Sequence, residues 1–156
     1  MNLAVKLCPC CSSLPYAQCC EPLHMQQQQA NSPRALMRSR YSAFVLALFD
    51  YLIDTHDTNH RHDLTAADLA KPPHPHWLGL DIISHSSQGE KGQVTFKAWY
   101  RLDGQIDAIF ECSDFILRDG RWYYTQGQQF DTALPGRNDP CICHSGKKFK
   151  QCCLTR

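Results

Sequence analysis

Val94-Thr95-Phe96-Lys97-Ala98-Trp99-Tyr100-Arg101-Leu102-Asp103-Gly104-Gln105-Ile106-Asp107-Ala108-Ile109-Phe110-Glu111-Cys112 reads as a β-hairpin. Val94, Phe96, Ala98 and Tyr100 alternate on the way out, and Ala108, Phe110 and Cys112 alternate on the way back. Asp103-Gly104 between them is a strong hairpin dipeptide, since tight two-residue turns favour residues that tolerate positive φ. The same texture extends both ways. Upstream, Leu78, Leu80 and Ile82 alternate before the turn residues Gln88-Gly89-Glu90-Lys91-Gly92; downstream, Asp119-Gly120 leads into a last strand, Trp122-Tyr123-Tyr124-Thr125. Sequential strands joined by tight turns predict an antiparallel meander. Cys112, in step with Ala108 and Phe110, reads as a buried apolar residue rather than a nucleophile.

Ahead of the strands, Ser32 as N-cap and Pro33 at the first helical position open a helix. The pattern predicts that it runs from Arg34 to about Thr55, with Met37, Tyr41, Phe44, Leu48 and Leu52 on one stripe. Ala43 to Phe49 is apolar all round, so the helix should lie on the sheet and be covered elsewhere. A long helix across a meander is an α+β domain. Between the two, His56 to Pro75 is polar. Thr65 caps a short helix to Ala70, and five histidines (His56, His60, His62, His74, His76) match no metal-ligand spacing, so a solvated loop is favoured over a histidine metal site. Gly127 to Gly136 reads as a linker.

The chain has 156 residues, 43% hydrophobic and 20% charged, which suits a globular fold and excludes wholesale disorder. Its longest apolar stretch, Tyr41 to Phe49, is far short of the roughly 20 residues of a membrane-spanning helix. With no signal-peptide or lipidation pattern, a cytoplasmic location is expected. Ten cysteines stand out, five of them within residues 8–20 and four within 141–153. Cys8, Cys10, Cys19 and Cys20 are spaced C-x-C-x8-C-C, and Cys141, Cys143, Cys152 and Cys153 repeat that spacing. Ser12 matches Ser145, Tyr16 matches Phe149, and Gln18 matches Gln151.

In a reducing compartment, clustered cysteines point to metal or redox chemistry. Two close pairs suit tetrahedral thiolate coordination of Zn2+ in structural sites, with the aromatic covering one side of each metal and Gly146 to Gln151 forming a helix into Cys152-Cys153. Three readings compete: a purely structural clip, a zinc module that docks a partner, and redox cysteines or disulfides. The all-cysteine ligand set argues against catalytic zinc, which keeps a position open for water. Lys147, Lys148 and Lys150 would offset the charge of the second site. With both sites filled, the formal charge of +1 becomes about −3, so the protein as a whole is not basic.

Gly136 to Cys153 resembles the SEC-C motif, the zinc module at the C-terminus of the SecA translocation ATPase. With a similar module at the N-terminus and Ser32 to Phe44 between them, the chain resembles the YchJ-like family of uncharacterised bacterial proteins. That resemblance implies an NTF2-like cone for the middle. The expected organisation is a first zinc module over 1–25, an NTF2-like domain over 26–133 and a second zinc module over 134–156. The resemblance also implies a protein partner, SecB or another chaperone, export or translation component, docked by the second module. The motif usually reads C-P-C-G-S-G. Here Ile142 and His144 replace the proline and first glycine, while Cys11 and Ser13 replace both glycines of the first copy and Leu14-Pro15 replaces its lysine pair. Cys11 and His144 share one repeat offset, where each is either an alternative ligand or a bystander.

A helix on a curved sheet leaves a concavity that can hold a ligand, and NTF2-like folds host isomerases, dehydratases and non-catalytic binders. Arg38, Arg40, Tyr41, Glu111 and Asp114 are candidate polar groups, with Trp99 and Trp122 as walls. None forms a catalytic spacing, so no catalytic residue is assigned. The plainer reading pairs Arg40 with Glu111 or Asp114 and makes the tryptophans core. Residues 136–156 carry five Lys/Arg against one Asp, too little charge for strong nucleic-acid binding. The reading favoured is a zinc-binding adaptor presenting Lys147, Lys148 and Lys150, with small-molecule binding or catalysis in the cavity as the alternative and nucleic-acid binding behind both.

Overall fold

The computed structural model describes residues 5–156. Among these, five α-helices precede one sheet: α1 (Glu21–His24), α2 (Pro33–Val45), α3 (Phe49–Asp54), α4 (Thr58–Arg61) and α5 (Ala66–Leu69). Strands β1 (His76–Gln88), β2 (Lys91–Leu102), β3 (Gln105–Arg118) and β4 (Arg121–Phe130) pair antiparallel in the order β1-β2-β3-β4. This is the expected meander. Both Asp-Gly turns carry two residues of positive φ, 52° and 77° at Asp103-Gly104 and again at Asp119-Gly120, as a tight hairpin requires. Ser32 caps α2 by accepting the Ala35 N–H at 3.1 Å, with Pro33 as first helical residue. Thr65 and Asp68 form a reciprocal capping box on α5.

Side chains alternate across a strand, so the sheet has two faces with different covers. One face buries Val94, Phe96 and Ala98 of β2, Phe115 of β3 and Trp122 of β4 against Leu36, Met37 and Tyr41 of α2, and Cys8, Cys10 and Cys20 join this core. The other face buries Trp99 of β2 against Cys141, Ile142, Phe149, Cys152 and Cys153. The N-terminal cysteine segment therefore lies with the helices, and the C-terminal one covers the opposite face. No helix among the described residues is long and apolar enough to cross a membrane.

Three expectations need correction. The single helix from Arg34 to Thr55 is two helices, because Ala47 turns left-handed (φ 59°) between α2 and α3. The last strand does not stop at Thr125 but continues to Phe130, which shortens the linker. On β3 the helix-facing set is Glu111, Ser113 and Phe115, all buried, whereas Ala108, Phe110 and Cys112 lie on the other face and are only half-buried.

Candidate metal centres

The two cysteine segments fold the same way, bond for bond. In the first, the Cys8 N–H donates to Leu14 O, Tyr16 N–H to Lys6 O and Cys19 N–H to Tyr16 O; in the second, Cys141 N–H donates to Lys147 O, Phe149 N–H to Asp139 O and Cys152 N–H to Phe149 O. Each contains a one-turn 3-10 helix, Tyr16–Gln18 and Phe149–Gln151, so the helix expected over 146–151 is this shorter turn. The result is two four-sulfur groups, Cys8, Cys10, Cys19 and Cys20, and Cys141, Cys143, Cys152 and Cys153, each with all sulfurs within 4.8 Å of one another. Neighbouring sulfurs stand 3.6 Å (Cys10–Cys19), 3.9 Å (Cys19–Cys20), 3.6 Å (Cys141–Cys143) and 3.5 Å (Cys143–Cys152) apart. A tetrahedral thiolate site with bonds near 2.3 Å has sulfur–sulfur edges of about 3.8 Å, whereas a disulfide is about 2 Å long. The spacing fits a metal and not a bond between the sulfurs.

Electrostatics points the same way. Four thiols this close cannot all ionise unaided: hydrogen bonds with Cys20 and Cys8 push the Cys10 thiol down, while hydrogen bonds with Cys10 and Cys8 push Cys20 up. Burial raises Cys19 to about 11 and also raises Cys153. A divalent cation removes that conflict by stabilising every thiolate at once. Serines at the repeat's matched offset support the sulfurs, with Ser12 Oγ 3.2 Å from Cys19 Sγ and Ser145 Oγ donating to Cys152 Sγ at 3.3 Å.

The surroundings of the two groups differ. The first is tied to α2 by contacts that the sequence did not signal. Ser42 Oγ lies 3.5 Å from Cys8 Sγ and donates to Cys20 Sγ at 3.4 Å, and Arg38 Nη1 donates to Cys10 O at 2.7 Å. His24 Nε2 donates to Ser39 O at 2.8 Å, which leaves Nδ1 to accept from Tyr16 Oη at 2.7 Å. The second group docks on the sheet's other face, where Arg101 Nη2 donates to Cys153 O at 2.6 Å. At Gly79 the approach is so close that a Cβ would lie 1.9 Å from Ile142 O. Lys147 and Lys148 are exposed and Lys150 is half-buried, and none of the three has an ionic partner among the described residues.

Neither Cys11 nor His144 belongs to a four-sulfur group. Both turn instead to one residue of β1. The Leu80 N–H donates to Cys11 Sγ at 3.4 Å, and His144 Nε2 donates to Leu80 O at 3.1 Å and lies 2.9 Å from Asp81 Oδ1. Asp81 Oδ2 accepts from Trp99 Nε1 at 3.0 Å. Sequence offset alone placed Cys11 and His144 together; nothing in it marked Leu80 as their shared partner.

The other candidates separate. Arg40, Tyr41 and Glu111 line one cavity between α2 and the sheet. Trp99 is not one of its walls, because alternation turns it to the opposite face beneath the second cysteine group. Trp122 is buried in the helix-side core and lines a separate depression near Leu23 and Tyr51. Arg40 does not pair with Glu111 or Asp114: its Nη1 donates to Leu52 O at 2.8 Å and to Thr55 Oγ1 at 2.7 Å, and Asp114 accepts from Gln93. The five histidines of residues 56–76 form no metal-ligating group among the described residues; His60 bonds buried Asp57 at 2.6 Å and His56 donates to Thr125 O.

Residues 32–127 match the family model described as YchJ, middle NTF2-like domain, and residues 137–155 match the SEC-C motif. A UPF0225 protein of Shewanella sp. (strain MR-4) is 55% identical over 158 residues, covering 96% of each chain. A UPF0225 protein of Vibrio cholerae is 37% identical, covering 94% of this chain and 98% of its own. Among solved structures, a SEC-C motif containing protein from Rhodopseudomonas palustris aligns with a TM-score of 0.72 at 35% identity, over 80% of this chain and 98% of that one. One from Psychrobacter arcticus aligns with a TM-score of 0.67 at 30% identity over 99% of both.

Proposed function

The chain belongs to the UPF0225 family of YchJ-like proteins with a SEC-C motif, and on that premise we propose that it is a zinc-binding adaptor whose second module docks an acidic protein surface. Zinc is the ion that suits an all-thiolate tetrahedral set, and four protein ligands leave no open position for catalysis. The observation that carries the docking role is the contrast between the modules. The first has its cysteines knitted into the main core through Ser42 and Arg38, so it staples the fold. The second keeps Cys141, Cys152 and Cys153 buried and Cys143 half-buried, yet presents Lys147 and Lys148 to solvent with no ionic partner among the described residues, beside half-buried Lys150. Lysines on a metal-fixed turn start from a backbone already held in place, so only their side chains need ordering on binding. The resemblance to the SecA module makes SecB the partner to test first.

The test is titration of the purified, metal-loaded protein into purified SecB, alongside the variant Lys147→Glu/Lys148→Glu/Lys150→Glu. Binding that weakens with salt and falls at least tenfold in the triple variant, with metal content and melting unchanged, is expected. Undiminished binding by the triple variant would overturn docking through the lysines, and no binding by the native protein would remove SecB as the partner.

A further inference from the structure

Between α2 and the four strands lies a cavity of about 160 Å³. A void of about 150 Å³ is large enough to hold a benzene ring. Its walls are chiefly aromatic, with Tyr41, Phe44, Trp77, Phe96 and Tyr124 around Ala98. Two side chains of opposite charge also line it, Arg40 at 7% and Glu111 at 8% exposure, and they do not form an ion pair.

Each is held in place yet keeps bonding capacity. Arg40 lies over the Tyr124 ring, 4.7 Å from its centre, with Nη1 committed to Leu52 O and Thr55 Oγ1. Its other N–H groups have no acceptor among the described residues. Among the described residues no fully buried polar side-chain atom is left without a partner, so these groups keep access to open space, and Arg40 lines this cavity. Glu111 Oε2 accepts from Ser113 Oγ and, at 3.4 Å, from Tyr124 Oη; Oε1 has only a 3.5 Å contact from Gln129 Nε2. Gly127 makes room for this carboxylate, since a Cβ there would fall 2.4 Å from Glu111 Cδ. Burying two charges apart from each other is unfavourable unless something bridges them.

We infer that this cavity binds a small, uncharged, single-ring molecule that offers a hydrogen-bond acceptor to Arg40 and a donor to Glu111. The ring follows from the size and aromatic walls. The lack of net charge follows from the balance of Arg40 and Glu111, because a charged guest would leave an excess charge in apolar surroundings. The donor and acceptor follow from the open N–H groups of Arg40 and the weakly engaged Oε1 of Glu111.

The probe is 4-hydroxyacetophenone, whose ketone accepts and whose hydroxyl donates, with 4-methylacetophenone as the partner of equal size that keeps the acceptor and lacks the donor. Nitrogen–proton NMR of the metal-loaded protein follows the indole of Trp77, which lines the cavity, against those of Trp99 and Trp122, which do not. Saturable displacement of the Trp77 signal is expected, with the hydroxyl compound at least tenfold tighter. Glu111→Gln should shrink that preference below about threefold, and Ile109→Trp, filling the space from β3, should abolish both titrations while melting stays cooperative. Equal binding of the two probes would overturn the recognition by Glu111. An unmoved Trp77 signal in the native protein would overturn the site.

Discussion

Cys11, Ser13 and His144 all sit in the left-handed region, at φ 65°, 69° and 61°, as does Gly146 at 84°. These are the offsets at which the motif usually carries glycine, and glycine is the residue that reaches such angles without strain. Their departure from the motif was legible in the sequence; its use was not. Cys11 and His144 spend their side chains on Leu80, a contact made across 69 and 64 residues of chain, and no local pattern encodes it. Gly79 is the residue on which that arrangement depends most sharply. With Ile142 O at 1.9 Å from where a Cβ would stand, and both atoms belonging to backbone, Gly79→Ala must push the second module off β1. A loss of at least about 2 kcal/mol is expected, as for overpacking against unyielding atoms. Amide exchange should rise across residues 137–155 while the β2–β3 pairing stays protected, and unchanged exchange in that segment would contradict the docking geometry.

The elements were readable wherever one local rule decided them. Strand alternation and Asp-Gly turns gave the meander, and Ser32-Pro33 gave the start of α2. The break after α2 escaped because its usual marker is missing. The Leu48 N–H donates to Ala43 O at 2.8 Å and the Ala47 N–H to Phe44 O at 3.3 Å, the paired bonds of a Schellman helix end, but the left-handed position holds alanine instead of glycine. Ala47 is exposed, so Ala47→Gly should relieve about 1 kcal/mol of strain and raise the melting temperature by about 2–4 °C. A lower melting temperature would show that the methyl group contributes packing there. The face of β3 escaped for another reason. Both sides of the sheet are covered, so Ile106 and Ala108 are partly buried under the second module while Glu111 and Ser113, polar by sequence, occupy the helix side. Alternation then tracks the wrong cover, and the cavity's carboxylate is hidden in a pattern that reads as surface.

At the scale of the whole molecule, the repeat of C-x-C-x8-C-C announced both sulfur groups and their kinship, but not that they sit on opposite faces of one sheet. That placement sets the response to metal removal. Chelation of the reduced protein should release two metal ions per chain and lower stability by several kcal/mol, because an unfilled thiolate site gives up binding energy that supports the fold. The sites should contribute unequally. Cys8→Ser/Cys20→Ser, which strikes the main core, is expected to prevent native folding. Cys152→Ser/Cys153→Ser should leave a cooperative melt with residues 137–155 released, read by proton NMR and metal content; equal damage from both pairs would refute the division into staple and docking module. The meeting at Leu80 has a further consequence. β1 is a rim strand, and a rim strand offers its unpaired backbone as a template on which another extended chain can polymerise. Here the middle of that template is stoppered by a thiol from one end of the chain and an imidazole from the other. The terminal modules thus guard solubility as well as shape, and a molecule that lost both metals would present an open seam to its neighbours rather than merely a looser fold.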